Sequence, residues 1–581
     1  MLAGFGSFFL PQPIVFRDEL VYSEAAKALA SGHIPAGYGY GWAYPALIAP
    51  LYRVLAHVPD TYVAIKLLDA IVFSLAAIPA YLIARRCVRP SLALGVALLT
   101  VVLPARTYSY LVTTESLAFL VFLLFVLVLL RMLESPTVRN QFVAMAMAVV
   151  AFETRRQLVV LAAAVPLTIL CTSILEARNV RDTLVRYRMV WLALIAALGL
   201  GVAKSITGGS GGILGPYAVL AHGYKLAPIA RWLRNDVAVL GLVFGVVPLI
   251  ALPFGLTTCL RRGASGARQA LAVTTVVILT LIVAQVTLFS STSFGLGRVH
   301  ERYLFYVAPL IFAVFAVWLD EGMRRPRLVA GGVAAVVALL PLLLPTKGHL
   351  ASGIDAPTLH ALGFDSRTSR PRLGGSFAMP LDAFHLNAVI VSAVLAVWFM
   401  IGRPKRRWLV VAAVGLAFVV VDLPTHRGIV DFGRGLEQLA AGGRSAKLDW
   451  IDRRVGRDER VAILFVPPRH LCPTATYEYR HALATLWRAE FFTGSSARVL
   501  AVGVVPDTAL PVARSIVRRS GRIETAGNVE PRYVVADRRV TLVGKRLAVD
   551  HATRWALWRV AAPLRVLGAR STGDLRAKVC D

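Results

Sequence analysis

The sequence has few acidic residues and few cysteines for its length. Its 581 residues include 33 Asp and Glu against 63 Lys and Arg, and charged residues of both signs make up only 17%. The five cysteines include no C-x-x-C pair, which argues against a structural zinc site. The Gly-rich run 208–212 lacks the Gly-Lys-Ser/Thr that completes a P-loop. These absences argue against an ordinary soluble enzyme and against a P-loop ATPase.

Hydrophobic residues, in contrast, make up 57% of the chain, and the mean hydropathy is +0.65. Most apolar runs between residues 62 and 423 are long enough to cross a ~30 Å hydrocarbon layer as helices. They lack the strict alternation of barrel strands, the other structure that satisfies its backbone in lipid. The sequence therefore predicts an α-helical polytopic membrane protein with about twelve membrane helices. The expected spans are 62–84, 90–104, 115–132, 140–154, 156–176, 189–206, 236–257, 270–289, 303–320, 327–345, 386–402 and 408–423.

The net charge of +30 would suggest nucleic-acid binding in a soluble protein. Here the arginines cluster in short loops between apolar runs, which is the pattern of cytoplasmic loops. We therefore expect membrane lipids around the protein and no nucleic-acid partner. The basic loops are 85–89, 131–139, 178–188, 261–268, 324–327 and 403–407. The remaining loops, together with the segments before residue 62 and after residue 423, are expected on the outer side.

The pair of spans 140–154 and 156–176 has an alternative, because Glu153 to Gln157 interrupts the apolar run only briefly. One long tilted helix would place the later basic loops outside, so the charge pattern favours two spans with Arg155 and Arg156 at an outer turn.

Twelve spans leave both ends outside, yet residues 1–16 contain no complete span. We expect a thirteenth helix upstream of this sequence, or else unaided insertion of the N-terminus.

The chain divides into two predicted domains. Residues 1–423 form the transmembrane catalytic domain, whose first outer loop is 17–61. Residues 424–581 form an extracytoplasmic soluble α/β domain, because strand-like runs alternate there with helical stretches such as Arg480–Phe492. The strand-like runs are Val461–Val466, Arg498–Val502, Tyr533–Ala536 and Val540–Val543. Cys472 and Cys580 lie in this domain and form the candidate disulfide, although a sequence does not show that two cysteines are close.

Acidic residues that are candidates for catalysis lie at two expected outer helix starts. Asp18 and Glu19 are adjacent, and Tyr22 follows them. One carboxylate would act as a base while its neighbour orients it or binds a metal; the alternative is a solvated helix start. Glu115 opens an apolar helix after two threonines, where it would line a pocket or cap the helix.

Basic residues form a second group of candidates. Arg155 and Arg156 are suited to bind a phosphate, with pairing to Glu153 or to lipid headgroups as the alternative. The segment 297–306 precedes a helix containing Pro309, and a helix start favours anions. The candidates that this segment contributes are His300, Glu301, Arg302 and Tyr303.

Taken in order, these motifs resemble the GT-C superfamily of membrane glycosyltransferases. The similarity is to the bacterial branch related to protein O-mannosyltransferases and lipid A aminoarabinose transferases, and it covers the whole membrane region. It is carried by Asp18-Glu19 with Tyr22, the Tyr/Pro-rich stretch Tyr38–Pro50, Thr114-Glu115, Thr154-Arg155, and Arg302-Tyr303-Leu304 with Pro309.

The resemblance implies transfer of a sugar, usually with inversion, from a polyprenyl-phosphate donor to an envelope glycan, lipid or protein. It implies a multi-pass inner-membrane enzyme whose active site and C-terminal domain are extracytoplasmic. Asp18 would be the base, and Glu19 would orient the substrate or help to bind a divalent cation, the only cofactor considered. Arg155, Arg156, His300 and Arg302 would bind the donor phosphate, and the substrate pocket would include Tyr22, Tyr44, Glu115, Glu301 and Tyr303.

Two other classes of function fit parts of this pattern. A transporter or flippase also has many helices, but the sequence shows no clear internal repeat and its notable charges are expected at the outer edge rather than at the midplane. A structural component of an envelope complex, derived from an inactive relative, would not need these acidic residues and arginines.

Overall fold

The computed structural model consists of a large helical part followed by a seven-stranded sheet. The residues that it describes are 17–34, 38–208, 224–345, 355–361, 383–402, 407–441, 447–457, 459–467, 475–527, 530–572, 574 and 575. The predicted disulfide between Cys472 and Cys580 lies outside these residues.

The helices occupy nearly all of the predicted spans. Their bounds are α1 Arg17–Ala30, α2 Ala43–Val54, α3 Val58–Leu75, α4 Ala77–Arg85, α5 Pro90–Val101, α6 Glu115–Glu134, α7 Val138–Thr154, α8 Val160–Leu175, α9 Val180–Arg186, α10 Arg188–Gly208, α11 Leu226–Phe244, α12 Val246–Cys259, α13 Gly266–Ser290, α14 Glu301–Leu304, α15 Ala308–Asp320, α16 Arg327–Leu339, α17 Pro357–Ala361, α18 Ala383–Ile401, α19 Arg407–Ala441, α20 Asp452–Val455 and α21 Ala475–Phe492. Short 3₁₀ turns at Pro104–Tyr110 and Arg156–Val159 precede α6 and α8.

Several helices are suited to cross a membrane. Among the described residues, five are long and apolar enough, and up to eight spans result if each of three bent pairs is one span. The five are Val58–Arg85, Glu115–Glu134, Arg156–Leu175, Gly266–Ser290 and Glu301–Asp320. The helical membrane architecture is confirmed, and the number of about twelve helices stays a prediction. The predicted domain boundary at residue 423 falls within α19 and also stays a prediction.

The two segments on either side of Arg155 are separate helices. Helix α7 ends at Thr154, and Arg155 has an extended backbone with φ −153° and ψ 116° before the 3₁₀ turn begins. The chain therefore forms two helices here rather than one long helix, and the crossing of the membrane by both of them stays a prediction.

The predicted span 236–257 is not one straight helix, and its crossing of the membrane as a single span stays a prediction. Helices α11 and α12 meet there at a bend of 99°. Gly245 forms the bend with φ +83°, a conformation that other residues rarely adopt. A Cβ at this position would lie 3.1 Å from the Phe418 ring. The apolar pattern continues through the bend, so it does not reveal the change of direction.

Helix α15 forms the centre of the helical part. Every residue from Ala308 to Leu319 is buried, because α5, α12 and α13 pack around this helix. A helix that is hydrophobic on all sides requires such an interior position. The polar residues at its N-terminal end are thereby placed inside the protein rather than in lipid.

The C-terminal part contains one sheet with strand order β4-β3-β2-β1-β5-β7-β6. The strands are β1 Val461–Phe465, β2 Ser496–Val502, β3 Val512–Val517, β4 Ile523–Thr525, β5 Tyr533–Asp537, β6 Gly544–Asp550 and β7 Trp555–Val560. The central strands β3, β2, β1 and β5 are parallel, and β4, β7 and β6 pair antiparallel. All five residues of β1 are buried, as expected for a strand covered on both faces.

The sequence predicted β1, β2, β5 and the helix before β2. The strand predicted at Val540–Val543 is wrong, since this segment forms a turn after β5 and only Leu542 makes an isolated bridge, to Val566. Val540 and Leu542 are buried in the sheet core, and this burial accounts for the strand-like pattern.

The sheet part contacts the helical part through α21. The Lys27 ammonium of α1 donates to the carbonyl oxygens of Glu490, Phe491 and Thr493 at 2.9, 2.8 and 3.1 Å. A cation at the C-terminus of a helix satisfies carbonyls that have no partner within the helix. The sheet part is therefore attached beside the helix that carries Asp18.

Candidate functional site

Four separate helix ends bring charged residues together in the helical part. Asp18 is at the start of α1, Glu115 at the start of α6, Arg155 at the break after α7, and Arg302 in α14. Apolar helices exclude charged residues from their middles, so charges collect where the helices end. Chain segments that are far apart in sequence therefore contribute to one cluster.

Arg155 is buried and held by three partners. Its Nη1 lies 2.8 Å from Glu115 Oε1 and donates to Thr114 Oγ1 at 2.9 Å. Its Nε donates to Gln157 Oε1 at 2.7 Å. Charge-assisted bonds on two sides of the guanidinium fix its plane. The structure thus brings two of the candidate site residues, Arg155 and Glu115, into direct contact.

Arg302 lies beside Arg155 and shares two of its neighbours. Its Nη1 is 3.9 Å from Glu115 Oε1, and its Nη2 donates to the Tyr303 hydroxyl at 2.7 Å. The Tyr303 ring lies under both guanidiniums, with centroids 5.1 Å from Arg155 Cζ and 4.9 Å from Arg302 Cζ. Cation–π attraction and a shared carboxylate offset the repulsion between the two cations.

Asp18 is the most accessible carboxylate of the cluster. Its Oδ2 lies 3.4 Å from Arg302 Nη2, and its side chain is 22% exposed, against 2% for Glu115 and 3% for Asp355. Burial raises the pKa of Asp18 above its ordinary value, while the nearby Arg302 charge opposes this shift. An accessible carboxylate with a raised pKa is suited to accept a proton.

Glu19 points away from Asp18 and is fully buried. Its Oε1 accepts the backbone N–H of Val112 at 2.9 Å, which holds the turn before α6. That turn carries Thr114 and Glu115, so Glu19 helps to position the residues that bind Arg155. Among the described residues, no group of three His, Cys, Asp or Glu side chains could hold a metal ion.

Asp355 belongs to the cluster although the sequence analysis did not identify it. Its carboxylate lies 3.2 Å from Arg298 Nη1 and 3.7 Å from both His300 Nδ1 and Arg302 Nε. Its carbonyl oxygen also accepts the Arg302 N–H at 3.2 Å. Asp355 comes from the loop between α16 and α18, where no motif surrounds it, and no sequence signal places this loop against α14.

His300 and Glu301 support the cluster from behind. The His300 ring stacks on Tyr303 at 5.3 Å, and its Nε2 is 3.0 Å from the Gly295 carbonyl oxygen. Glu301 accepts the backbone N–H groups of Thr358 and Leu359 at 2.9 and 3.1 Å, at the start of α17. The structure therefore uses Glu301 to fix the loop that carries Asp355.

Arg156 and the two predicted tyrosines lie around the cluster. Arg156 pairs with Glu153 at 2.6 Å, its predicted alternative partner. Tyr22 packs edge-to-face against Tyr44 at 5.6 Å, and the Tyr44 hydroxyl donates to Asp69 at 2.7 Å. Roles for these three residues in binding a substrate stay predictions.

Gly41 allows the first outer loop to pack against the break that carries Arg155. A Cβ on Gly41 would lie 2.1 Å from the Glu153 carbonyl oxygen, so any other residue would push the loop away. The loop that contains Gly41 therefore lies directly against the backbone that precedes Arg155. The combined arrangement offers an anion two fixed guanidiniums with an accessible carboxylate next to them.

Comparison with solved structures identifies the fold. The crystal structure of ArnT from Cupriavidus metallidurans bound to undecaprenyl phosphate matches with 13% identity and a TM-score of 0.51, covering 97% of this chain and 96% of that chain. The apo structure of the same protein matches with 14% identity and a TM-score of 0.49, covering 96% and 95%. No protein-family model and no curated protein matches the chain. The likeness shows that this chain shares its fold with that protein, as the resemblance inferred from the sequence implies.

Proposed function

We propose that the protein is an integral membrane glycosyltransferase that moves a sugar from a polyprenyl-phosphate donor to an extracytoplasmic acceptor, with inversion. The observation that carries this proposal is the buried pair Arg155 and Arg302 with the accessible Asp18 beside it. The pair lies in a fold shared with a protein crystallised with undecaprenyl phosphate. The acceptor is an envelope glycan, lipid or protein.

In the proposed reaction, Asp18 accepts the proton of the acceptor hydroxyl. The acceptor oxygen forms a bond to the anomeric carbon of the sugar, while the bond from that carbon to the phosphate oxygen breaks. The electron pair of the broken bond remains on the lipid phosphate, whose charge is stabilised by Arg155 and Arg302. The anomeric carbon passes through an oxocarbenium-like state between the base and the phosphate.

The remaining residues of the cluster prepare these groups. Glu115 and Tyr303 keep the two guanidiniums side by side, so that little reorganisation is needed when charge develops on the phosphate. Burial keeps the pKa of Asp18 closer to neutral pH than that of an exposed aspartate, which strengthens it as a base. Glu19 acts through the turn that it holds.

The proposal places the protein in the inner membrane, with the active site on the outer side. The arginine-rich ends of α4 and α6 lie at the opposite end of these helices from the cluster, in agreement with cytoplasmic basic loops. Since α1 contacts α21, the C-terminal sheet part also belongs to the outer side.

Transfer assays with purified protein test this function. Radiolabelled polyprenyl-phosphate sugars, both hexoses and pentoses, are offered with membrane acceptors to wild type, Asp18→Asn and the control Asp60→Asn. Asp60 is an exposed acid at the start of α3. We expect transfer by wild type and control, and a loss of about 10²–10⁴-fold for Asp18→Asn, the usual contribution of a general base.

The outcomes separate the class of protein from the role of the residue. Transfer that survives in Asp18→Asn would keep the glycosyltransferase but reject Asp18 as the base. Absence of transfer from every donor, with wild type folded, would contradict the proposal and favour a transporter or flippase.

A further inference from the structure

A second basic site lies at the other end of the helical part, between α4 and α6. It is a cleft of about 290 Å³ lined by Leu82, Arg85, Arg86, Leu127 and Arg131. Arg131 is sixteen residues along α6 from Glu115, which corresponds to about 24 Å in an α-helix. The cleft is therefore separate from the cluster around Arg302.

The two walls of the cleft have the same order of residues. Leu82 precedes Arg86 by four residues on α4 and its C-cap, and Leu127 precedes Arg131 by four residues on α6. Residues four apart occupy neighbouring positions on one helix face. Each wall therefore has a leucine one turn nearer the helix middle and an arginine at the helix end.

The arginines of the cleft carry more positive charge than the protein neutralises. Arg86 pairs with Glu134, but Arg85 makes only a long bond, 3.4 Å, to the Val88 carbonyl oxygen. Within the described parts of the chain, no carboxylate forms a salt bridge with Arg85 or Arg131. Neighbouring arginines at this end of the bundle differ, since Arg89 pairs with Asp320 and Arg268 with Glu321.

The leucines of the cleft face the lipid-exposed surface. Leu82 on α4 is 43% exposed, and Leu127 on α6 is half-buried. A cleft that is cationic at the membrane edge and apolar towards the membrane interior matches a phospholipid in both charge and polarity. Basic pockets between membrane helices are known to bind anionic headgroups in this way.

We infer that this cleft binds one anionic phospholipid. Arg85 and Arg131 contact the phosphodiester, because guanidinium groups bind phosphate oxygens through paired hydrogen bonds. Leu82 and Leu127 contact the first part of an acyl chain. This site does not depend on the proposed transfer reaction, and its ligand is a bulk membrane lipid rather than the sugar donor.

Lipid binding to the purified full chain tests the inference. Native mass spectrometry counts the molecules of phosphatidylglycerol or phosphatidylcholine, with identical acyl chains, that remain bound to wild type. The double variant Arg85→Gln/Arg131→Gln is compared with the control Arg139→Gln/Arg181→Gln, in which two exposed arginines outside the cleft are changed. Thermal unfolding in detergent verifies that all variants are folded.

We expect wild type and control to retain one phosphatidylglycerol at least tenfold more strongly than phosphatidylcholine, and the cleft variant to lose this preference. Equal retention by the cleft variant, or an equal loss in the control, would overturn the inference, because the effect would then be one of general surface charge. Inorganic phosphate should not displace the lipid at millimolar concentration, and full displacement would identify a simple anion site instead.

If the double variant does not fold, single substitutions of the exposed Arg131 test the inference. Arg131→Gln should then weaken phosphatidylglycerol retention, and Arg131→Lys, which keeps the charge, should preserve most of it. Unchanged retention in Arg131→Gln would contradict the assignment.

Discussion

At the proposed active site, we expect Asp355 to act through Arg302 rather than by contact with the substrate. It lies behind Arg302, Arg298 and His300 rather than beside Asp18. It is therefore a positioning residue, which would keep the Arg302 guanidinium directed at the lipid phosphate. Its negative charge also lowers the positive potential that a phosphate experiences at Arg302.

We expect Asp355→Asn to lower kcat roughly tenfold, because misplacement of a catalytic cation costs transition-state stabilisation. The KM for the donor should stay the same or fall, because the substitution removes a negative charge next to the phosphate site. Steady-state transfer assays measure both quantities, with the exposed Asp182→Asn as control and Asp355→Glu as the charge-preserving variant. A higher KM at unchanged kcat would show that Asp355 does not position Arg302 for the reaction.

The sequence could predict the residues at helix starts but not those in loops. Glu115, Arg155 and Arg302 flank apolar helices, so their convergence follows from exclusion of charge from the membrane interior. Asp18 begins the polar helix α1. Asp355 lies in a long loop whose path depends on tertiary contacts. Glu301 was predicted for the pocket because it adjoins Arg302, yet its carboxylate accepts two backbone N–H groups of the loop helix α17.

At the scale of elements, the bend between α11 and α12 depends on one glycine. Gly245 has φ +83° and ψ 136°, a region that is almost restricted to glycine. The apolar pattern on both sides predicts a single span, since hydropathy records length and not direction. The sequence thus predicts the positions of the long apolar helices, but it misses their changes of direction and the helices α1 and α2 of the first outer loop.

We expect Gly245→Ala to reduce the free energy of unfolding by about 1–3 kcal/mol, the usual cost of such a backbone conformation. The new Cβ would also lie 3.1 Å from the Phe418 ring. Thermal unfolding in detergent measures this effect. Gly199→Ala is the matched control, because no atom lies within 4 Å of its added Cβ. Equal stability of the two variants would mean that the bend does not need a glycine.

At the scale of the whole molecule, the contact between α1 and α21 brings together two carboxyl groups with little solvent access, those of Glu24 and Glu490. Burial raises the pKa of Glu490 to about 8, and the nearby Glu24 charge acts in the same direction. Burial also raises the pKa of Glu24. The Glu490 carboxyl accepts bonds from the Thr508 hydroxyl and the Ala509 N–H at 2.6 and 2.8 Å. The sequence does not predict this contact, since it joins segments more than 450 residues apart.

This contact should make stability depend on pH. The folded pKa of Glu490 is above its ordinary value of 4.5, so the protonated form is favoured by folding. Its contribution is complete below pH 4.5 and is lost as the pH rises through about 8. We expect the thermal midpoint to fall between pH 6 and pH 9 in wild type, and Glu490→Gln to show a clearly weaker dependence. An identical slope in Glu490→Gln would exclude Glu490 as its cause.

Equilibrium binding of undecaprenyl phosphate tests whether the two buried arginines receive a lipid phosphate. Purified wild type, Arg302→Gln and the exposed-arginine control Arg139→Gln are titrated with undecaprenyl phosphate and with undecaprenol, which has the same chain and no phosphate. We expect wild type and control to bind the phosphate at least tenfold more tightly than the alcohol, and Arg302→Gln to lose most of this difference. Equal binding of phosphate and alcohol by folded wild type would show that the two arginines do not form a lipid-phosphate site.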